Sequence, residues 1–213
     1  MGDWHIHTNY TDAVMSVAEA VGVARDLGLG FMVFSEHVRR KTTYDYSALC
    51  LEIESAARSS FISILPGAEA KILDESGSLD IDNEVLKRCR LLSMAFHTSE
   101  KLTAGYVYKA VKGAVSNWPV DIWAHPANVL CGLYESEAIG ILNMASAHGV
   151  AIEMNLKYSP ERFLCLLKKA RLPFVVGTDS HSADEMRDRW ELWLSLQGRI
   201  SKGVGLKSGG NNE

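Results

Sequence analysis

The sequence has few cysteines and no long apolar run. Its four cysteines are widely spaced and form no CxxC pair, so neither a disulfide framework nor a cysteine-rich zinc site is expected. No segment is apolar for the roughly 18 residues that a membrane span requires, and the start MGDWHIHTNY is too polar for a signal peptide. We therefore expect a cytoplasmic protein that makes no contact with membranes.

The sequence has no excess of positive charge: its net charge is -4 and its isoelectric point is near 6.0. This balance argues against non-specific binding of nucleic acid, although it permits a local basic patch. The glycine signatures GxGxxG and GxxxxGK[ST] are both missing, which argues against Rossmann and P-loop enzymes. A GxSxG elbow is missing as well, which argues against a serine hydrolase.

Short apolar runs alternate with longer amphipathic segments along most of the chain. Seven runs are strand-like: DWHIH, GFMVFSEH, FISILPGAEA, LLSMAFH, VDIWAH, VAIEMN and PFVVGTDSH. Helical patterns are predicted over 16–27, 44–60, 83–89, 102–117, 134–148, 160–171 and 183–197. The repeated βα pattern fits either an open doubly wound sheet or a closed parallel barrel. We predict one domain over 1–198 and a polar, flexible tail over 199–213.

Histidines and carboxylates gather where the predicted strands end. Six of the seven histidines lie at or just beyond such an end, and in a parallel barrel these ends share the face on which active sites are built. The two side chains of a His-x-His pair on a strand point the same way. Clustered imidazoles and carboxylates are costly unless they are paired or bind cations, and these ligand types suit zinc, iron and manganese. The pattern therefore predicts a metal site.

Six ordered motifs carry a family resemblance that covers residues 3 to 181. HIHTNYTD, FSEH, PGAEA, AFHTS, WAHP and GTDSH resemble the motifs of the PHP (polymerase and histidinol phosphatase) family of metal-dependent phosphoesterases. The resemblance implies an α/β fold, a distorted seven-stranded (β/α)7 TIM-like barrel, with a trinuclear metal centre at the carboxyl ends of the strands. It implies two to three divalent ions, whose identity as zinc, manganese or iron the sequence leaves open.

Nine ligands follow from the resemblance, residue by residue. A first metal would be held by His5, His7, Glu69 and Asp179, a second by Glu69, His97 and His125, and a third by Asp12, His37 and His181. Of these, Glu69, His97, Asp179 and His181 are expected to form the catalytic centre. The chain departs from the family pattern with Ala13 after the first-motif Asp and with VRRK after the second-motif His, which puts the loop near the third metal in doubt.

The implied reaction is hydrolysis of a phosphate ester by a metal-bridging hydroxide. A small phosphomonoester, of the histidinol phosphate or nucleotide kind, is the favoured substrate. Cleavage at nucleic-acid ends is the alternative, with Tyr44 and Tyr46 either stacking a base or, as the favoured interpretation, packing a helix onto the barrel. A non-catalytic PHP module is the remaining alternative, and the oligomeric state is left open.

Phosphate also calls for cations outside the metal site. We predict that Arg39, Arg40, Lys71 and Lys157 bind the substrate phosphate, because each follows a strand end or a ligand. The basic stretch RRK at residues 39–41 could equally be a solvated surface loop. Glu36 directly precedes His37 and is predicted to orient an imidazole through its second nitrogen.

Overall fold

The chain folds into a nearly closed barrel of seven parallel strands. The computed structural model describes residues 1–158 and 160–201, and for 199–201 only the helical backbone. Each strand pairs with the next along the chain. The strands are β1 (Gly2–Ile6), β2 (Phe31–Val38), β3 (Ser63–Lys71), β4 (Leu91–Ala95), β5 (Ile122–Trp123), β6 (Ala151–Asn155) and β7 (Phe174–Gly177). All seven strand-like runs contain a strand, and the predicted βα barrel is confirmed.

The two ends of the sheet meet through the segment that follows β7. Ile6 and Ser180 form a parallel bridge. Beside it, the Asp179 N–H donates to the His5 carbonyl at 2.7 Å and the His7 N–H donates to the Ser180 carbonyl at 3.1 Å. The barrel is therefore closed by the residues that carry the first and last predicted ligand motifs.

Helices connect the strands on the outside of the barrel. They are α1 (Val17–Asp26), α2 (Tyr46–Arg58), α3 (Asn83–Arg88), α4 (Ala104–Asn117), α5 (Ala127–Leu130), α6 (Glu135–Ala147), α7 (Pro160–Ala170) and α8 (Ala183–Ser201). All but the single-turn α5 were predicted. Ser16 and Glu19 form a capping box at the start of α1. Gly28 and Gly149 take positive φ after α1 and α6, which is the conformation that ends a helix.

The last helix packs against the barrel through its tryptophans. Trp190 is 1% exposed and Trp193 is 6% exposed, so both belong to the core. The helix continues to Ser201, three residues beyond the predicted domain limit, and residues 202–213 of the predicted tail lie outside the described residues. In the part of the chain that is described, no helix is long and apolar enough to cross a membrane.

Two glycines allow the loop after β3 to lie directly on α4. Gly77 has a φ of +78°, and a Cβ on it would overlap the backbone of α4. A Cβ on Gly113, which lies within α4, would overlap the Ser76 carbonyl group. The contact is backbone against backbone, so no flexible side chain can move aside to make room for a methyl group.

We expect Gly113→Ala to lower the free energy of unfolding by roughly 1–3 kcal/mol, because the added methyl group overpacks this contact. Gly105 lies in the same helix with nothing within 4 Å of its would-be Cβ. The matched control Gly105→Ala should therefore leave stability unchanged or raise it by up to about 1 kcal/mol. Urea unfolding of both variants tests this, and equal effects would contradict the proposed contact.

Candidate metal centre

The carboxyl ends of the strands bring the predicted ligands to one face of the barrel. His5 and Glu69 lie on strands, and His37 on β2 is the register partner of Glu69 on β3. The remaining predicted ligands follow strand ends within a few residues, because the chain turns into a loop there. Parallel pairing aligns these ends, so ligands far apart in sequence become neighbours in space.

Glu69 is the centre of the cluster. Its side chain is fully buried, and five imidazoles surround its two oxygens. The distances from Glu69 oxygens to imidazole nitrogens are 3.7 Å for His5, 3.8 Å for His7, 2.7 Å for His37, 3.1 Å for His97 and 2.6 Å for His125. One buried carboxylate thus joins five predicted ligands from four strand ends.

The potential ligand atoms form three overlapping groups. Within each, one atom per residue lies within 4.8 Å of all the others: His5, His7 and Asp179; His7, Asp12, His37 and His181; and His37, Glu69 and His97. His125 joins the cluster through its short contact with Glu69. The structure therefore brings all nine predicted ligands together, with His37 lying between the second and third sets.

The spacing of these atoms suits a small divalent cation. Bonds of about 2.0–2.1 Å in a tetrahedral site place neighbouring ligand atoms about 3.4 Å apart. His7 Nε2 lies 3.4 Å from Asp179 Oδ1, and His37 Nε2 lies 3.4 Å from Asp12 Oδ2. His37 Nδ1 and Glu69 Oε2 are 2.7 Å apart, yet neither has a hydrogen-bond partner of acceptable geometry. Buried lone pairs that converge in this way fit a shared metal ion.

The pKa shifts of His7, Asp179 and Glu69 also favour cation binding, because they keep the imidazole neutral and the carboxylates ionised. Burial lowers the pKa of His7, so its imidazole is neutral at physiological pH. The pKa of Asp179 lies below its usual range, because the His7 and His5 imidazoles outweigh the effect of burial. His5 and His125 similarly hold down the pKa of Glu69. In contrast, Glu153 and Glu69 raise the pKa of His5 against the effect of burial.

Two of the predicted ligands have a strained backbone. His125 has a φ of 32° and Asp179 a φ of 54°, in the left-handed region that residues other than glycine seldom adopt. Such conformations cost free energy and cluster at functional sites, where the surrounding structure holds them. For Asp179 the holding contacts include Arg189, which donates to the Thr178 carbonyl at 3.0 Å and to the Asp179 carbonyl at 2.5 Å.

A pocket of about 270 Å³ opens above the ligands. Besides ligand side chains it is lined by Phe96, Thr98, Asn128, Lys157 and Tyr158. The Lys157 ammonium lies 3.4 Å from Asp179 Oδ2 and 5.5 Å from the centre of the Tyr158 ring. Of the four predicted phosphate-binding cations, Lys157 alone lines this pocket.

The other predicted phosphate-binding residues are placed elsewhere. Arg39 Nε lies 3.8 Å from Asp80 Oδ2, and Arg40 lines a separate cavity. Lys71, at the end of β3, does not line the metal pocket either. Their positions in sequence predicted proximity, but the loop after β2 turns the basic stretch towards acidic side chains instead.

The role predicted for Glu36 is also wrong. Glu36 is buried, but its Oε2 accepts from the Thr11 hydroxyl at 2.5 Å and hydrogen-bonds no imidazole. Instead an oxygen of Glu153 on β6 lies 2.9 Å from His5 Nδ1. This residue was not among the predicted site residues. The signal available was its position: a carboxylate within an otherwise apolar strand of a barrel demands a partner.

Comparisons with known proteins support this fold. No protein-family profile matches the sequence. The chain is 25% identical over 209 residues to the DNA polymerase/3'-5' exonuclease PolX of Bacillus subtilis, covering 88% of this chain and 35% of that protein. It is 30% identical over 135 residues to a probable phosphatase of Thermoanaerobacter sp., covering 56% of this chain and 53% of that protein.

A solved structure has the same architecture. It is histidinol phosphate phosphatase of Lactococcus lactis, complexed with zinc, L-histidinol and phosphate, with a TM-score of 0.67, 17% identity, and coverage of 90% of this chain and 92% of that one. The barrel carries a histidine-rich rim of potential metal ligands. Together with the ordered motifs, these relatives support the resemblance to the PHP family of phosphoesterases. The chain spans about a third of PolX and about half of the Thermoanaerobacter protein.

We expect Glu69→Gln to weaken zinc binding by more than the roughly 10- to 100-fold typical of residues outside the ligand set, because it removes the buried charge that lies near imidazoles of all three groups. Zinc should raise the unfolding temperature of the wild type by mass action and raise that of the variant far less. The control Glu54→Gln changes an exposed carboxylate on α2 and should behave as wild type. An undiminished zinc-induced shift in Glu69→Gln would contradict a central role for this residue.

Proposed function

We propose that this protein is a metal-dependent phosphoesterase that acts on small phosphomonoesters. The observation that carries the proposal is the convergence of nine potential metal ligands, with buried Glu69 at their centre, beneath a small pocket that contains one lysine. The probable phosphatases and the histidinol phosphate phosphatase among the similar proteins support the same reaction class.

Divalent cations would be held in three sets of side chains. These are His5, His7, Glu69 and Asp179; Glu69, His97 and His125; and Asp12, His37 and His181. When bound, such cations supply Lewis acidity and a hydroxide nucleophile near neutral pH. Zinc, manganese and iron all suit these nitrogen and oxygen donors.

Lys157 is placed to bind the substrate phosphate. Its ammonium lines the pocket beside Asp179. Among the described residues that line this pocket it is the sole Lys or Arg. Charge-assisted hydrogen bonds from a lysine to phosphoryl oxygens stabilise a group whose negative charge spreads during transfer. The Tyr158 ring lines the pocket beside it, 5.2 Å from the ring of His125.

The surroundings favour a small substrate over a nucleic-acid end. Tyr46 is buried and donates to the Gly67 carbonyl at 2.9 Å, and the Tyr44 hydroxyl donates to the His37 carbonyl at 3.3 Å. Tyr46 therefore packs the fold, and Tyr44 is half-buried with its hydroxyl held by the β2 backbone. Arg39 is engaged by Asp80, so the basic stretch forms no continuous track leading to the pocket.

Cleavage of nucleic-acid ends is the second candidate, and one observation favours it. The alignment with PolX, a 3'-5' exonuclease, covers more of this chain than the alignment with the Thermoanaerobacter phosphatase does. That nuclease is much longer than the aligned region, so parts beyond it are available there to hold a strand. A non-catalytic module is less favoured, since all nine ligand positions carry competent side chains.

The decisive experiment measures metal content and turnover on the same preparation. We expect two or three metal ions per chain by elemental analysis, and faster hydrolysis of p-nitrophenyl phosphate than of bis-p-nitrophenyl phosphate. His7→Ala should abolish turnover, because it removes a buried ligand shared by two groups. Preference for the diester would support the nuclease. Absence of both metal and turnover after addition of manganese or zinc would overturn the enzyme proposal.

Lys157→Met should lower kcat/KM for p-nitrophenyl phosphate by about 10- to 100-fold, since a hydrogen bond to a charged group contributes about 1.5–3 kcal/mol. Metal content should stay unchanged, because Lys157 is not a ligand. The control Lys87→Met removes an exposed lysine on α3 that pairs with Glu84, and its kinetics should match the wild type. Wild-type kinetics in Lys157→Met would remove this lysine from the site.

A further inference from the structure

A second buried carboxylate lies beneath the metal centre and belongs to none of the three ligand groups. Glu153 is on β6, is fully buried, and is surrounded by N–H donors. Its Oε1 lies 2.9 Å from His5 Nδ1. Its Oε2 accepts from the backbone N–H of His125 at 2.5 Å and from the Asn155 amide at 3.1 Å. One carboxylate thus contacts a predicted ligand of the first metal and one of the second.

The contact with His5 fixes which nitrogen of that imidazole faces the centre. A carboxylate that accepts the Nδ1–H leaves Nε2 as the nitrogen with the free lone pair. His5 Nε2 lies 3.0 Å from His7 Nε2 and 3.7 Å from Glu69 Oε1. Glu153 therefore turns the coordinating nitrogen towards the other ligands of the first group.

The contact with His125 acts on the backbone. This residue is strained, with a φ of 32°, and its N–H is directed at Glu153 Oε2. In this conformation the imidazole Nε2 lies 2.6 Å from Glu69 Oε1. A strained backbone persists only where surrounding contacts over-determine it, and the hydrogen bond to Glu153 is one such contact.

The fold leaves room for this carboxylate at one position of the neighbouring strand. Gly177 on β7 is the register partner of Asn155. A Cβ at position 177 would overlap Glu153 Oε1 and would lie 2.7 Å from His5 Cβ. The missing side chain of Gly177 is therefore what allows Glu153 and His5 to meet.

We propose that Glu153 is a positioning residue that orients His5 and holds His125, and so sets the geometry of the first two metal groups together. The inference rests on the proposed function in that it takes these groups to bind metal. Glu153 need not contact a substrate or a metal ion to act in this way. Residues that orient metal-ligating imidazoles commonly change metal affinity by about 10- to 100-fold.

The test is zinc affinity of Glu153→Gln, measured on metal-free protein by competition with a chromophoric chelator. A glutamine keeps the shape but offers one acceptor oxygen, so its amide opposes either His5 Nδ1–H or the His125 N–H. We expect zinc affinity to fall about 10- to 100-fold, with an unchanged circular dichroism spectrum. Gly177→Ala should give a similar loss, because it displaces the same carboxylate.

Glu36→Gln is the matched control. It makes the same exchange at another fully buried glutamate of the barrel, which accepts a hydrogen bond from the Thr11 hydroxyl and not from an imidazole. Its zinc affinity should remain within a few-fold of the wild type. An equal loss in both glutamine variants, or affinity within twofold of wild type in Glu153→Gln, would overturn the proposal.

A measurement on the wild type covers the case in which the variants do not fold. Long-range ¹H–¹⁵N NMR of the zinc-bound protein should show His5 protonated at Nδ1, and protonation at Nε2 would overturn the assignment. The two proposals fail separately. Zinc binding that depends on Glu153 without phosphoester hydrolysis would overturn the proposed function alone, whereas a wild type that bound neither zinc nor manganese and showed no turnover would overturn both.

Discussion

The site depends on one physical constraint, the burial of the Glu69 charge. A carboxylate removed from water is very unfavourable unless cations or hydrogen-bond donors surround it, and Glu69 has no exposed surface. Five imidazoles from four strand ends supply the compensation. A parallel barrel can deliver them because its strand ends share one rim, whereas an open sheet would spread them along an edge. Fold and chemistry are therefore linked at this residue.

The sequence predicted the elements whose signals are local. The His-x-His pair, the strand ends with histidine or carboxylate, and the Ser16–Glu19 capping box each lie within a few residues, and each appears in the structure. The family resemblance then chose the closed barrel from two arrangements that the βα pattern could not separate. Features whose residues are neighbours both in sequence and in space could therefore be predicted from the sequence.

Features that depend on distant contacts were missed or misplaced. Arg39 follows a ligand, but its guanidinium reaches Asp80, about forty positions further along the chain. Glu153 lies in an apolar run whose partners, His5 and the His125 backbone, belong to other strands. Gly177 resembles any strand glycine until the neighbouring carboxylate is seen. Packing determines where the side chains of a loop point and where a neighbouring strand leaves space. Local sequence patterns do not predict either feature.

The closure of the barrel also has a consequence for the order of folding. His5 and His7 lie at the beginning of the sheet, and Asp179 and His181 follow its last strand, where they are joined to β1 by the Ile6–Ser180 bridge. Closing a loop has an entropic cost that must be met before the contacts between distant segments offset it. We therefore expect the first ligand group to be completed only when the segment after β7 joins β1. A chain whose synthesis has not yet reached β7 carries the His-x-His pair without Asp179. Cleavage of the polypeptide anywhere between β1 and β7 leaves the two halves of that group on different fragments.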